Sequence, residues 1–137
     1  MGTLPGMPVR DFRVRPLEVL VVDDDEIFGE SLALFLGNDE RIIVTDIVCD
    51  LGTALDSTKV RHFDLALIDV RLETESGFRV VEALHARHPG LATLMMSGLD
   101  ASEIESRALA CGACGVLQKT DLTRRGHEVV LDAYLAS

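Results

Sequence analysis

The sequence predicts an α/β domain: a parallel sheet covered by helices on both faces. Short apolar runs, "LEVLVV", "RIIVTDIV", "FDLALIDV", "ATLMMSG" and "GVLQK", alternate strictly with stretches of helical spacing. Strands that alternate with helices pair in parallel, because each return to the sheet needs a crossover. The third run is apolar almost throughout, as a strand buried on both faces must be. A chain of 137 residues is the size of one domain, and its core needs no disulfide or structural metal.

Taken in order, residues 1–16, "MGTLPGMPVRDFRVRP", carry most of the prolines and read as a flexible arm, slightly basic through Arg10, Arg13 and Arg15. The folded domain is expected over 17–137. After the first strand, "EIFGESLALFL" places Ile27, Leu34 and Phe35 at helical spacing, and Gly37-Asn38 stops that helix. "LGTALDSTKVR" is a short helix. "GFRVVEALHARH" is amphipathic and is closed by Pro89-Gly90. "ASEIESRALACG" is a helix with Ser102 as its expected cap. "LTRRGHEVVLDAYLA" is the last helix, weakened by Gly126 by about 1 kcal/mol relative to alanine. Right-handed crossovers sort these helices onto two sides.

Composition narrows the function. Hydrophobic residues make up 47% and charged residues 26%, the balance of an ordered globular chain. A net charge of −10 argues against nucleic-acid binding by this chain alone and fits a partner that is a cation or a basic patch. Cys111 and Cys114 form a CxxC, but no second pair completes a zinc site, and the motif ends a helix instead of opening one; these read as packed thiols, like Cys49. His62, His85, His88 and His127 are scattered and read as surface or boundary residues. Free thiols and the lack of a signal peptide or membrane-length apolar run point to the cytoplasm and away from a membrane.

In open parallel sheets the functional crevice lies outside the carboxyl ends of the strands. Those ends carry Asp23 and Asp24, then Asp69, Ser97 and Lys119. Each has a bland reading. An Asp after a strand is often a helix cap, a role that suits Asp25, while Ser97 fits a turn and Lys119 a solvated surface. Their coincidence on one edge is the signal. Carboxylates held close together repel, so they invite a divalent cation. Oxygen ligands with few protein contacts suit Mg²⁺, or Mn²⁺, which keep waters and coordinate phosphate oxygens. An Asp facing that ion is a nucleophile toward phosphorus, and a hydroxyl and an ammonium can hold the other phosphoryl oxygens.

At these residues the chain resembles a response-regulator receiver domain of bacterial two-component signalling. The motifs "LVVDDD", "DLALIDVRLETESG", "LMMSG" and "GACGVLQK" carry the likeness over roughly residues 17–136. The resemblance implies a flavodoxin-like, doubly wound five-stranded parallel sheet in the order 2-1-3-4-5. It implies Asp69 as phosphoacceptor, Ser97 as switch hydroxyl and Lys119 as phosphate-binding lysine. Asp23, Asp24, Asp69 and the backbone carbonyl of Arg71 would hold the metal, with Asp24 the direct ligand of the acidic pair. Gly77 matches the glycine that opens the third helix. A sensor histidine kinase would supply the phosphoryl group, and the chain would do no other chemistry than its own phosphorylation and slow dephosphorylation. The face of helix four, strand five and helix five, with Glu103, Arg107, Val116, Arg124 and Arg125, would then engage an output domain or a second receiver.

The sequence departs from the family in three places. Thr120 follows the lysine where proline with a cis bond is usual, so a trans loop and a strained one both fit; "KTD" is similar to receivers attached to LuxR-type helix-turn-helix outputs. Glu73 stands where proline is common. Val116 stands where a switch aromatic is common. Thr120 and Val116 support a second reading, a phosphate-independent interaction module. A third, an aspartate-nucleophile phosphohydrolase, lacks the Asp-x-Asp that supplies nucleophile and acid, since "DVR" follows here. Arg71 reads either as an exposed loop residue or, with Leu99 opposite, as a wall over Asp69 that slows hydrolysis; Gly98 leaves room for the phosphoryl group.

Overall fold

Apolar strands with polar ends set the architecture. The computed structural model describes residues 10–98 and 101–137. Its strands are β1 (Leu17–Val22), β2 (Ile42–Val48), β3 (Leu65–Asp69), β4 (Ala92–Ser97) and β5 (Val116–Gln118). All pair in parallel, in the order β2-β1-β3-β4-β5, as the sequence implied. The helices are α1 (Glu26–Gly37), α2 (Leu51–Val60), α3 (Gly77–Arg87), α4 (Glu105–Cys111) and α5 (Lys119–Ala136), with a 3-10 turn at Ala101–Glu103.

Side chains alternate across a strand, and the core divides accordingly. Leu20, Val22, Ala66, Ile68 and Met95 face α2, α3 and α4 through Ala54, Phe78, Val81, Leu84 and Ala108. Leu17, Val19, Val21, Leu65, Leu67, Leu94 and Met96 face α1 and α5 through Leu32, Leu36, Leu122, Val130 and Leu131. Burying a leucine of this kind contributes about 1.5–3 kcal/mol. The sheet is thus covered on both faces, and its carboxyl edge is left open.

Three expectations change in detail. The buried residues of α1 are Gly29, Leu32 and Leu36, whereas Ile27 and Leu34 are 79% and 77% exposed. The helix is apolar on more than one side, and the sheet takes the stripe on which Gly29 permits close approach: a Cβ there would meet Ile47 Cγ2 at 2.9 Å. Ser102 lies in the 3-10 turn, and α4 begins after Ile104 without a side-chain cap. The last helix begins at Lys119 and bends at Arg125, whose φ and ψ are −140° and 33°. Next to the bend Gly126 is buried, and a Cβ there would lie 3.1 Å from Leu36 and Phe35. The glycine lets α5 cross α1 closely, which offsets its low helix propensity.

The end of the N-terminal segment, residues 10–16, touches the domain. Arg10 donates from both terminal guanidinium nitrogens to Asp64 at 2.9 Å and also to the Pro16 carbonyl at 2.8 Å. The Phe12 ring packs edge-on to Tyr134 of α5, centroids 6.2 Å apart. Residues 1–9 lie outside the described residues.

Candidate functional site at the carboxyl edge of the sheet

Each strand end delivers its polar group for a local reason. Asp23 follows β1 and is buried, held where its Oδ1 accepts the Asp25 N–H at 2.9 Å. Asp25 turns away: it caps α1, accepting from the Phe28 N–H at 3.1 Å, and stays exposed. Asp69 ends β3, and its Oδ1 accepts the Arg71 N–H at 3.1 Å. Ser97 ends β4 beside Gln118 of β5, and Ser97 and Gly98 line the same cleft as Asp69. Lys119 follows β5 and is the first residue of α5, so no loop separates the ammonium from the helix. The peptide bond to Thr120 is trans, as are all described bonds.

The ammonium of Lys119 joins the two buried acids. Its Nζ is 2.9 Å from Asp69 Oδ2 and 3.0 Å from Asp23 Oδ2. Carboxylate oxygens of Asp23, Asp24 and Asp69 lie within 4.8 Å of one another. Burial raises the Asp23 pKa above its ordinary value; the Asp25 N–H and Lys119 oppose this, and the neighbouring Asp69 adds to it. Burial pulls the Lys119 pKa down, but hydrogen bonds to Asp69 and Asp23 outweigh it and hold the group charged. One ammonium against three carboxylates leaves an excess of negative charge in a half-buried, all-oxygen donor set. That is the chemistry of a hard divalent cation, and these residues fit one.

The connection from β3 to α3 shapes the other wall. Residues 71–76 fold back as a small hairpin, with an antiparallel bridge between Arg71 and Ser76 and a bond from the Leu72 N–H to the Glu75 carbonyl at 3.2 Å. Ser76 caps α3 by accepting from the Phe78 N–H. The Glu73 N–H donates to Asp24 Oδ2. The proline common at this position has no N–H to give, so this departure ties the acidic pair to the loop. A cleft of about 840 Å³ opens beside Asp69, walled by Arg71, Ser97, Ile104 and Arg107. Arg107 lies over the Phe78 ring, 4.1 Å from its centroid. Leu99, the expected second wall, lies outside the described residues.

Sequence reasoning named the residues on this edge, including Asp25 as a helix cap, but missed two contacts. These are the Glu73 N–H on Asp24 and Phe28, whose ring centroid lies 4.3 Å from Lys119 Nζ. A second group of possible ligand atoms, on Glu18, His62 and Asp64, sits at the opposite edge. Asp64 there is already committed to Arg10 and to the Glu18 N–H.

The fold and the strand-end acids define a signalling receiver, and the chain belongs to the response regulator receiver domain family, whose match spans residues 19–130. Over 114 residues it is 34% identical to a protein-glutamate methylesterase/protein-glutamine glutaminase of Anaeromyxobacter dehalogenans, covering 81% of this chain and 31% of that protein. It is 29% identical over 119 residues to the cell cycle response regulator CtrA of Brucella ovis, covering 83% of this chain and 50% of CtrA. The chain therefore spans half or less of these relatives. Among solved structures, the signal receiver domain of the response regulator NarL from Mycobacterium tuberculosis superposes with a TM-score of 0.79 at 28% identity, covering 89% of this chain and 98% of that one. No helix among the described residues is long and apolar enough to cross a membrane.

Proposed function

We propose that this receiver is a phosphorylation-controlled switch in which Asp69 accepts a phosphoryl group from a sensor histidine kinase. The observation that carries the reading is the placement of Lys119 between Asp69 and Asp23, beside Asp24, at the open edge of the sheet. Asp69 Oδ attacks phosphorus, the bond to the donor's imidazole nitrogen breaks, and the nitrogen keeps the electron pair and takes a proton. Asp23, Asp24, Asp69 and the Arg71 carbonyl would hold Mg²⁺ or Mn²⁺, which when bound screens the charge of the incoming phosphoryl oxygens. Lys119 moves from carboxylate to phosphoryl oxygen. Ser97 donates its hydroxyl to another, and Gly98 leaves space beside it. The chain turns over no separate substrate.

The signal would leave through α4, β5 and α5. Glu103, Arg107, Arg124 and Arg125 are exposed there, and Val116 is half-buried. Because α5 starts at Lys119, a shift of that lysine acts directly on the helix. The partner on this face is an output domain, of the LuxR helix-turn-helix type, or a second receiver, and the compartment is the cytoplasm. Arg71 is exposed on the cleft wall and slows loss of the phosphoryl group; Arg71→Ala should shorten its lifetime several-fold in a decay followed by mass.

The experiment is phosphotransfer from phosphoramidate, whose P–N bond mimics phosphohistidine, followed by ³¹P NMR. An acyl-phosphate signal in the native chain, absent in Asp69→Asn, is the expected result. No such signal would select the phosphate-independent module, which Val116 in place of an aromatic favours.

A further inference from the structure

Lys119 has a third neighbour besides its two carboxylates. The Phe28 ring lies beneath its ammonium, 4.3 Å from Nζ to the centroid. We propose that Phe28 is a positioning residue for Lys119, holding the ammonium at Asp69 through the face of its ring while the lysine changes partners. The inference rests on the phosphoacceptor reading and extends it to a residue that the strand-end pattern does not contain.

Three features support it. The backbone that carries the ring is anchored: the Phe28 N–H is fixed by Asp25 at 3.1 Å in the first turn of α1, and at Gly29 beside it α1 packs so near β2 that a Cβ would meet Ile47 Cγ2 at 2.9 Å. The ammonium is largely shielded, with the Lys119 side chain only 21% exposed, and a cation is attracted more strongly to a ring face when partly desolvated. The geometry also leaves that face the remaining work. Asp23 and Asp69 each take one N–H, both at about the ideal length.

When Asp69 gains a phosphoryl group, its charge moves outward onto the phosphoryl oxygens, and Lys119 must follow. A hydrogen bond is directional and would have to break. Attraction to a ring face needs no single N–H direction and acts out to about 6 Å from the centroid, so it outlasts the exchange of one hydrogen bond for another. Phe28 therefore lets Lys119 travel from carboxylate to phosphoryl without passing through an unpartnered state, which would be costly in a half-buried site.

The chain has two lysines, Lys59 and Lys119, and Phe28 touches the second. A double-mutant cycle with Phe28→Leu and Lys119→Met, read by urea unfolding without metal or phosphoryl donor, tests the contact. Leucine keeps the apolar volume and removes the ring face, so the two changes should be coupled by roughly three- to tenfold in the unfolding constant. Site-specific replacement of Phe28 by 4-fluoro- and then 3,4,5-trifluorophenylalanine tests positioning. Fluorine drains the ring face with little change of shape, and the rate of phosphorylation by acetyl phosphate should fall stepwise, severalfold by the third fluorine. Additive unfolding effects would overturn the contact, and an unchanged rate across the fluorinated series would overturn positioning. If the unsubstituted chain takes up no phosphoryl group while the pair stays coupled, the phosphoacceptor reading fails and the Phe28–Lys119 contact is upheld.

Discussion

Gly77 lies so close beneath Asp69 that a Cβ on it would sit 1.9 Å from the Asp69 carbonyl oxygen and 2.8 Å from its carbonyl carbon. The Gly77 N–H also bonds to the Val70 carbonyl at 2.8 Å. The first turn of α3 is thus packed on the backbone of the proposed phosphoacceptor. Gly77→Ala should cost about 2–4 kcal/mol in urea unfolding, because backbone has no rotamer with which to yield. It should also slow phosphorylation of the remaining folded protein by displacing Asp69.

Glu73 offers Asp24 a backbone N–H. If that bond matters and the side chain does not, Glu73→Ala should be neutral within about 0.5 kcal/mol. Glu73→Pro should lose about 1.5–3 kcal/mol, the range for a hydrogen bond to a charged group. Paired urea titrations decide this; equal stability of the two variants would remove the N–H from the account.

Asp64 is buried at the opposite edge. Burial alone would raise its pKa, but Arg10, the Glu18 N–H and His62 outweigh it and bring the carboxyl from the ordinary 3.8 down to about 2. The folded pKa lies below the unfolded one. The contribution is therefore fully present above about pH 4 and is lost as pH falls toward 2. After discounting for solvent screening it amounts to about 1–2 kcal/mol. Arg10→Met should lower stability at pH 7 and flatten the loss of stability between pH 4.5 and 2.5, measured by urea unfolding across that window. Unchanged stability at both ends would mean the Arg10 contact contributes nothing.

The acidic cluster predicts a response to metal. A cation that binds only the folded state stabilises it by about 3 kcal/mol at a hundred times its Kd, enough to raise Tm by several degrees in a domain of this size. Mg²⁺ and Mn²⁺ should both do so, EDTA should reverse the rise, and Asp24→Asn should blunt it. A Tm indifferent to both ions would remove the cation site from the account.

Much of this was legible in the sequence, for a physical reason. Strands buried on both faces hold almost only apolar residues, with Thr93 an exception, so Asp23, Asp69 and Ser97 stand out where the apolar runs end, and alternation with helices dictates a parallel sheet. Other features leave no local trace. Ile27 and Leu34 have the right spacing for a buried stripe, but Gly29, Leu32 and Leu36 offer a second, and close packing on β2 decides between them. The Arg10–Asp64 pair joins residues 54 apart. The Glu73 N–H belongs to the backbone, so its only sequence signal is a missing proline. Phe28 reads as one more apolar helix residue until Lys119 is placed beside it.

The central claim is that Asp69 takes the phosphoryl group at a metal-dependent site. Intact mass after incubation with acetyl phosphate tests it most directly, with Mg²⁺ present or chelated by EDTA and with Asp69→Asn alongside. The account predicts a single phosphoryl adduct on the native chain with Mg²⁺, and none with EDTA or in the variant. An adduct that persists in Asp69→Asn, or none under any condition, would contradict it.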